Sequence, residues 1–137
     1  MMRSQRGFGL IELLMALTVV SLLLMSVYSG YTTHLLKSRR TDVILSLVHE
    51  QLRLEHCYYQ ESSYAGECMR TTSYPHRSEM GFYQISMAHL DEAHYLLKAT
   101  PVGPQTKDEL CSVWTLSHAN EKSAFNHSGL PETSCWS

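Results

Sequence analysis

Side chains able to do chemistry are plentiful in this chain, but their spacing argues against a catalytic centre. The sequence holds eight histidines and four cysteines. His49, His56 and Cys57 fall on one helical pattern, and His89 and His94 flank a turn. Zinc sites use tight Cys or His pairs, and no such spacing recurs here. The histidines therefore read as solvated or partly packed, and no metal or other cofactor is expected. A thiol nucleophile wants a partnered histidine. Cys57 beside His56 is the one candidate, and a disulfide is the better use of Cys57. Asp91-Glu92 and Asp108-Glu109 are adjacent in sequence, so neither pair faces itself as acid and base. No glycine-rich phosphate loop occurs. Trp114 and Trp136 read as core and loop anchor rather than a ligand platform. No catalytic residue is expected, and the chain does not read as an enzyme.

The charge that stands out is Glu12. From Phe8 to Tyr28 it is the only ionised group in an apolar run of about 20 residues, the length a helix needs to cross a bilayer. A charge within such a run costs about 2.5–3.5 kcal/mol at the membrane centre and less near its surface. A carboxylate there asks for a partner. The partner expected is the amine made by cutting the chain after Gly7, supplied by a neighbouring copy.

The elements that must position these groups follow from composition and periodicity. After the apolar run, about a hundred of the 137 residues remain, enough for one small domain. Net charge is −2, and loss of Arg3 and Arg6 makes it more acidic. That balance argues against a protein built mainly to hold nucleic acid. Cys57, Cys68, Cys111 and Cys135 all follow the apolar run, and an even count in a small exported domain reads as two disulfides in an oxidising compartment. Four cysteines allow three pairings. Lys37, Arg39 and Arg40 beyond the span outnumber Arg3 and Arg6 before it, so the loop charges do not favour an inside N-terminus. The cysteines do.

From Leu35 to Tyr59 helical periodicity continues. Leu36, Val43, Ile44, Leu47, Val48, Leu52 and Cys57 return at three- and four-residue steps. Arg39, Arg40, Asp42, His49, Glu50, Arg53 and Glu55 take mostly the other positions. One helix of about fifty residues is expected, half apolar and half amphipathic. Residues 60–81 lose periodicity and read as a long loop, with Cys68 near enough to Cys57 to staple it. Strands are expected at residues 82–87, 94–100 and 111–116, with a short fourth at 122–125, as an antiparallel meander. One face of that sheet can bury the helix's apolar stripe. The last residues, 126–137, read as a loop. Asn126-His127-Ser128 fits a glycosylation sequon, given little weight here.

The N-terminal stretch resembles the class III signal of type IV prepilins and pseudopilins. The matching residues are Arg3 and Arg6, Gly7, Phe8, Glu12 and the hydrophobics that follow. The resemblance implies that a prepilin peptidase cuts between Gly7 and Phe8 on the cytoplasmic face and methylates the Phe8 amine. Glu12 is then the assembly carboxylate, and the helix packs in a filament core. Members often carry a glycine midway and a proline near the end of this segment; Ser21 and Ser29 stand there, which implies a straighter helix. The second half resembles minor pilins of the PilE kind. It does so through Tyr58-Tyr59, Ala99-Thr100-Pro101, Gln105, Asp108, Cys111 and Cys135-Trp136. This implies a Cys111–Cys135 disulfide and leaves Cys57–Cys68. Members usually have a glycine in the turn after the third strand; Asn120 can take the left-handed conformation instead.

The expected fold is thus α+β, the pilin fold, with one long helix on an antiparallel sheet of three to four strands. The expected division is a leader at residues 1–7, a membrane or filament-core helix at 8–36 and a periplasmic domain at 37–137. The function implied is a minor type IV pilus subunit serving twitching, adhesion or DNA uptake. Its partners would be other pilin subunits, the peptidase and the inner-membrane assembly platform. It would sit single-pass in the inner membrane, N-terminus cytoplasmic, and then in the surface pilus. A pseudopilin of type II secretion and a DNA-binding pilin receptor are the alternatives. Phosphate contacts need Lys and Arg on one face. Arg70, Arg77, Lys98 and Lys107 are the candidates, dispersed in an acidic domain, and read first as surface charge.

Overall fold

A single helix, α1, runs uninterrupted over 52 residues from Leu10 to Glu61. The computed structural model describes Gly7 and residues 9–137. The chain divides into two units, one ending at Leu35 and the other running from Leu36 to Ser137. In the first, no proline interrupts the ladder of backbone hydrogen bonds, and the apolar side chains stand exposed. Five of its hydroxyls bond back to carbonyls of the helix. Thr18 donates to the Met15 carbonyl at 2.8 Å, Ser21 to Thr18 at 2.8 Å and Ser26 to Leu22 at 3.1 Å. With its backbone bonded within the helix, and long and apolar enough to span, the segment suits a hydrocarbon environment apart from the charge of Glu12.

In the second unit α1 buries Val43, Leu47, Leu54 and Cys57, all on one side. The helix ends where Ser62 turns left-handed, at φ 54°. The Ser62 amide still reaches the Tyr58 carbonyl at 2.7 Å, so the last turn is capped.

The buried face of α1 packs on one antiparallel meander of β1 (His76–Arg77), β2 (Tyr83–Leu90), β3 (Tyr95–Pro101), β4 (Val113–Ser117) and β5 (Lys122–Phe125). Register explains the core. Ile85, Ala99, Trp114 and Ala124 line up across four strands, and Leu97 pairs with Leu116. These inward residues are buried, and their outward neighbours are not. Trp114 meets Tyr83 and Trp136 edge-on. Burying each large side chain is worth about 1.5–3 kcal/mol, which is what holds so small a sheet on its helix.

The sheet has five strands, not three to four. β1 is only two residues long, too short for alternation to show, and it lies in the stretch read as loop. That stretch also holds a one-turn helix, α2 (Glu67–Arg70). The turn after β4 does use Asn120 in the left-handed region, at φ 59°. Cys57 is bonded to Cys68 and Cys111 to Cys135.

Buried polar groups tie connections to the helix. Asp42 is 3% exposed and accepts from the Ser78 hydroxyl at 2.6 Å and the Met80 amide at 3.0 Å. It thereby fixes the β1–β2 turn, where Gly81 has φ 81°. Glu50 accepts from Tyr74 and Arg53, each at 2.6 Å. Glu55 accepts from Tyr64 at 3.0 Å and Tyr95 at 3.2 Å.

These pairs set the pH limits of the domain. Burial raises the Glu50 carboxyl, but the bonds from Tyr74 and Arg53 outweigh it and hold it below its ordinary 4.5. Its stabilisation is present above pH 4.5 and is lost on acidification below that. Burial, and then Glu55, push the Tyr64 phenol up to about 12. Burial also raises Tyr74, Tyr83 and Tyr95 above 10. A raised folded value means stability is full below pH 10 and falls as pH climbs past it, when the unfolded phenols ionise first. Near-ultraviolet circular dichroism and tyrosinate absorbance are expected to change together, cooperatively, above pH 10. A gradual rise in absorbance with dichroism unchanged would show the four phenols to be accessible.

Candidate functional site

Gly7 precedes α1, and Phe8, Arg3 and Arg6 lie outside the described residues. Glu12 sits in the first turn of α1, with its amide bonded to the Gly9 carbonyl at 3.1 Å. It is exposed, and among the described residues no cation stands within ion-pair distance. The positive end of the helix dipole favours a carboxylate there, but the charge still lacks a partner within the described residues.

The basic residues split into three kinds. Arg40 grips Asp108 through both Nε and Nη2, each at 2.7 Å. Asp108 is 3% exposed and also accepts from Gln105 Nε2 at 3.3 Å. Gln105 donates as well to the Leu36 carbonyl at 3.1 Å and the Tyr83 hydroxyl at 3.0 Å. Arg53 is held by Glu50, Arg39 lies 4.4 Å over the Phe82 ring and Lys122 lies 5.6 Å over Trp136. Among the described residues, Arg70, Arg77, Lys98 and Lys107 form no ion pair.

The structure does not gather those four. Arg70 ends α2, and Lys107 ends the 3-10 turn Gly103–Lys107. Lys98 is in the middle of β3, between Ser86 and Thr115, on the face turned away from α1. Arg77 pairs with Gln84 on that same face. The grip of Arg40 on Asp108 was invisible in the sequence, since 68 residues separate them. A conspicuous charge at the start of an amphipathic helix was the only hint.

Elsewhere, Asp91 joins His89 and His94, each at 3.1 Å, and the His94 ring lies 4.6 Å from that of His118. The backbone amide of Ala93, with help from His89 and His94, holds the Asp91 carboxyl well below its ordinary value. His49 and His56 stand apart on the exposed side of α1. Among the described residues no group of His, Cys, Asp and Glu is arranged to hold a metal ion.

The family model for the type IV minor pilin ComP, DNA uptake sequence receptor, matches residues 29–115. The chain belongs to that family. The prokaryotic N-terminal methylation motif matches residues 2–28 of this minor pilin. Among solved structures it is similar to the Neisseria meningitidis non-core minor pilin PilV, at 20% identity and a TM-score of 0.54, covering 68% of this chain and 89% of that one. That likeness identifies the pilin fold. No curated protein sequence matches. This minor pilin is a pilus subunit, with a methylation signal leading into a helix long enough to anchor it in a membrane.

Proposed function

We propose that this minor pilin is a DNA-uptake receptor carried on a type IV pilus. It is made as a prepilin, cut by prepilin peptidase after Gly7 and methylated on Phe8. It waits single-pass in the inner membrane with its N-terminus cytoplasmic, and the assembly platform then moves it into the filament. Glu12 sets its register there by meeting the Phe8 amine of a neighbouring pilin. The observation that carries the receptor reading is the family match over residues 29–115, whose description names a DNA uptake sequence receptor. It supports a type IV pilin over a type II secretion pseudopilin as well. The unpaired cations of the domain are compatible with phosphate contacts.

Full-length protein in detergent, titrated into labelled duplex DNA, tests this. Binding is expected to weaken linearly in log–log form as salt rises. No binding at low salt would leave a structural subunit with twitching or adhesion as its service. Mass spectrometry of protein from cells tests the processing: the chain is expected to begin with methylated Phe8, and an intact N-terminus would overturn that part.

A further inference from the structure

We propose that the globular unit docks on anionic phospholipid headgroups of the bilayer that α1 spans, through Lys37 and Lys107 at the end where α1 enters it. This rests on the membrane-anchored reading above. Lys37, Arg39 and Arg40 follow the apolar run closely. The positive-inside tendency disfavours cations there on an exported domain. Two of the three have partners within the domain: Arg40 holds Asp108, and Arg39 lies over the Phe82 ring. Lys37 is exposed and, among the described residues, forms no ion pair. Nine positions separate it from Tyr28, where the apolar run ends, which is about 13 Å of helical rise. Roughly half of that is headgroup layer. Tyr28 and Tyr31 are both exposed and suit the boundary between the apolar and polar layers. Side chains on a helix lean toward its N-terminus, so Lys37 leans toward the bilayer.

A second basic element meets the helix at this level. Gln105 Nε2 donates to the Leu36 carbonyl at 3.1 Å, and Arg40 donates twice to Asp108 at 2.7 Å. These bonds hold the 3-10 turn Gly103–Lys107 beside residues 36–40 of α1. Gln105 and Asp108 are buried, whereas Gly103, Pro104, Thr106 and Lys107 are exposed. Lys107, like Lys37, forms no ion pair among the described residues. Acids are missing from both segments that meet here. Residues 13–41 and 93–107 contain no Asp or Glu, in a chain that holds 13 of them. Arg40 neutralises Asp108, and Glu132 accepts from the Ser134 hydroxyl at 2.7 Å, which leaves Glu109 as the bordering acid. Two unpaired ammonium groups thus stand where a helix leaves a membrane. Cations so placed attract anionic headgroups and fall silent within a Debye length of the surface.

The test puts a thiol-reactive fluorophore on Thr106→Cys in the full-length protein, whose native cysteines are all paired. Quenching by a headgroup-labelled lipid is read in vesicles of phosphatidylcholine, with and without phosphatidylglycerol. Quenching is expected in the anionic vesicles alone. It is expected to vanish near 1 M salt, where screening sets in beyond about 3 Å. Lys37→Gln is expected to lower the ratio of docked to free protein about fivefold, and Lys37→Gln with Lys107→Gln about twenty-five-fold. Lys37→Arg with Lys107→Arg is expected to preserve the ratio, which separates lost charge from altered folding. The same label on Gln60→Cys, about 36 Å along α1 from Leu36, is expected to report no quenching. If the protein floats with the vesicles but quenching at Thr106→Cys is equal in neutral ones, the proposal is overturned. It is overturned equally if the glutamine pair changes nothing. Release of the label from the surface by inorganic phosphate at constant ionic strength would show a phosphate site instead of a membrane dock, and overturns it too. If the protein does not float with the vesicles, the anchored reading itself fails.

Discussion

Arg40→Ala is expected to destabilise the globular unit by about 3–5 kcal/mol, the cost of leaving a buried carboxylate without its partner. Asp108 is 3% exposed, and Arg40 supplies two of its bonds at 2.7 Å. The desolvation of Asp108 is therefore offset chiefly by one guanidinium. Gln105, its remaining side-chain donor, is a neutral amide that also serves Leu36 and Tyr83. In a domain of this size the loss amounts to a fall of roughly 15 °C or more in Tm. Removing both charges together, as Arg40→Met with Asp108→Leu, is expected to recover most of it, because no isolated charge is then buried. Denaturation of the detergent-solubilised chain, followed by Trp114 and Trp136 fluorescence, reads both. A single substitution as mild as the double one would show Asp108 to be hydrated.

The second large effect is on assembly. Glu12→Ala is expected to be cleaved normally and yet to fall at least tenfold in sheared pili relative to the membrane fraction. The substitution removes a carboxylate that, in our reading, neutralises a neighbour's Phe8 amine in the filament. A tenfold change needs only about 1.4 kcal/mol, well inside what an unpaired charge in apolar surroundings costs. Glu12→Asp, which keeps the charge on a shorter arm, is expected to fall between. Immunoblots of the two fractions, with mass spectrometry of the N-terminus, separate assembly from processing. Unchanged incorporation of the alanine variant would dispose of the pairing.

What could be read in the sequence divides along physical lines. The apolar helix and the strands β2 to β5 were legible, because each carries a period long enough to count. β1 was not, since its two residues cannot alternate. The same limit hid α2, a single turn. The buried ion pair of Arg40 with Asp108 and the hold of Asp42 on the β1–β2 turn escaped for a different reason. On a helical wheel these charges look like solvent-facing polar residues, and only partners 36 or more positions away turn them inward. Lys98 and Arg77 belong to the same class: their shared face is a product of strand register, which no local pattern announces.

The connection between α1 and β2 is fastened by Cys57–Cys68 near its beginning, by Tyr74 on Glu50 in its middle and by Asp42 near its end. Between the disulfide and Tyr74, Thr71 and Ser73 are exposed and Thr72 is half-buried, at the surface of the domain. Length changes there need not propagate into the sheet, because none of these three ties has to move. An epitope tag spliced in there is expected to make assembled filaments visible.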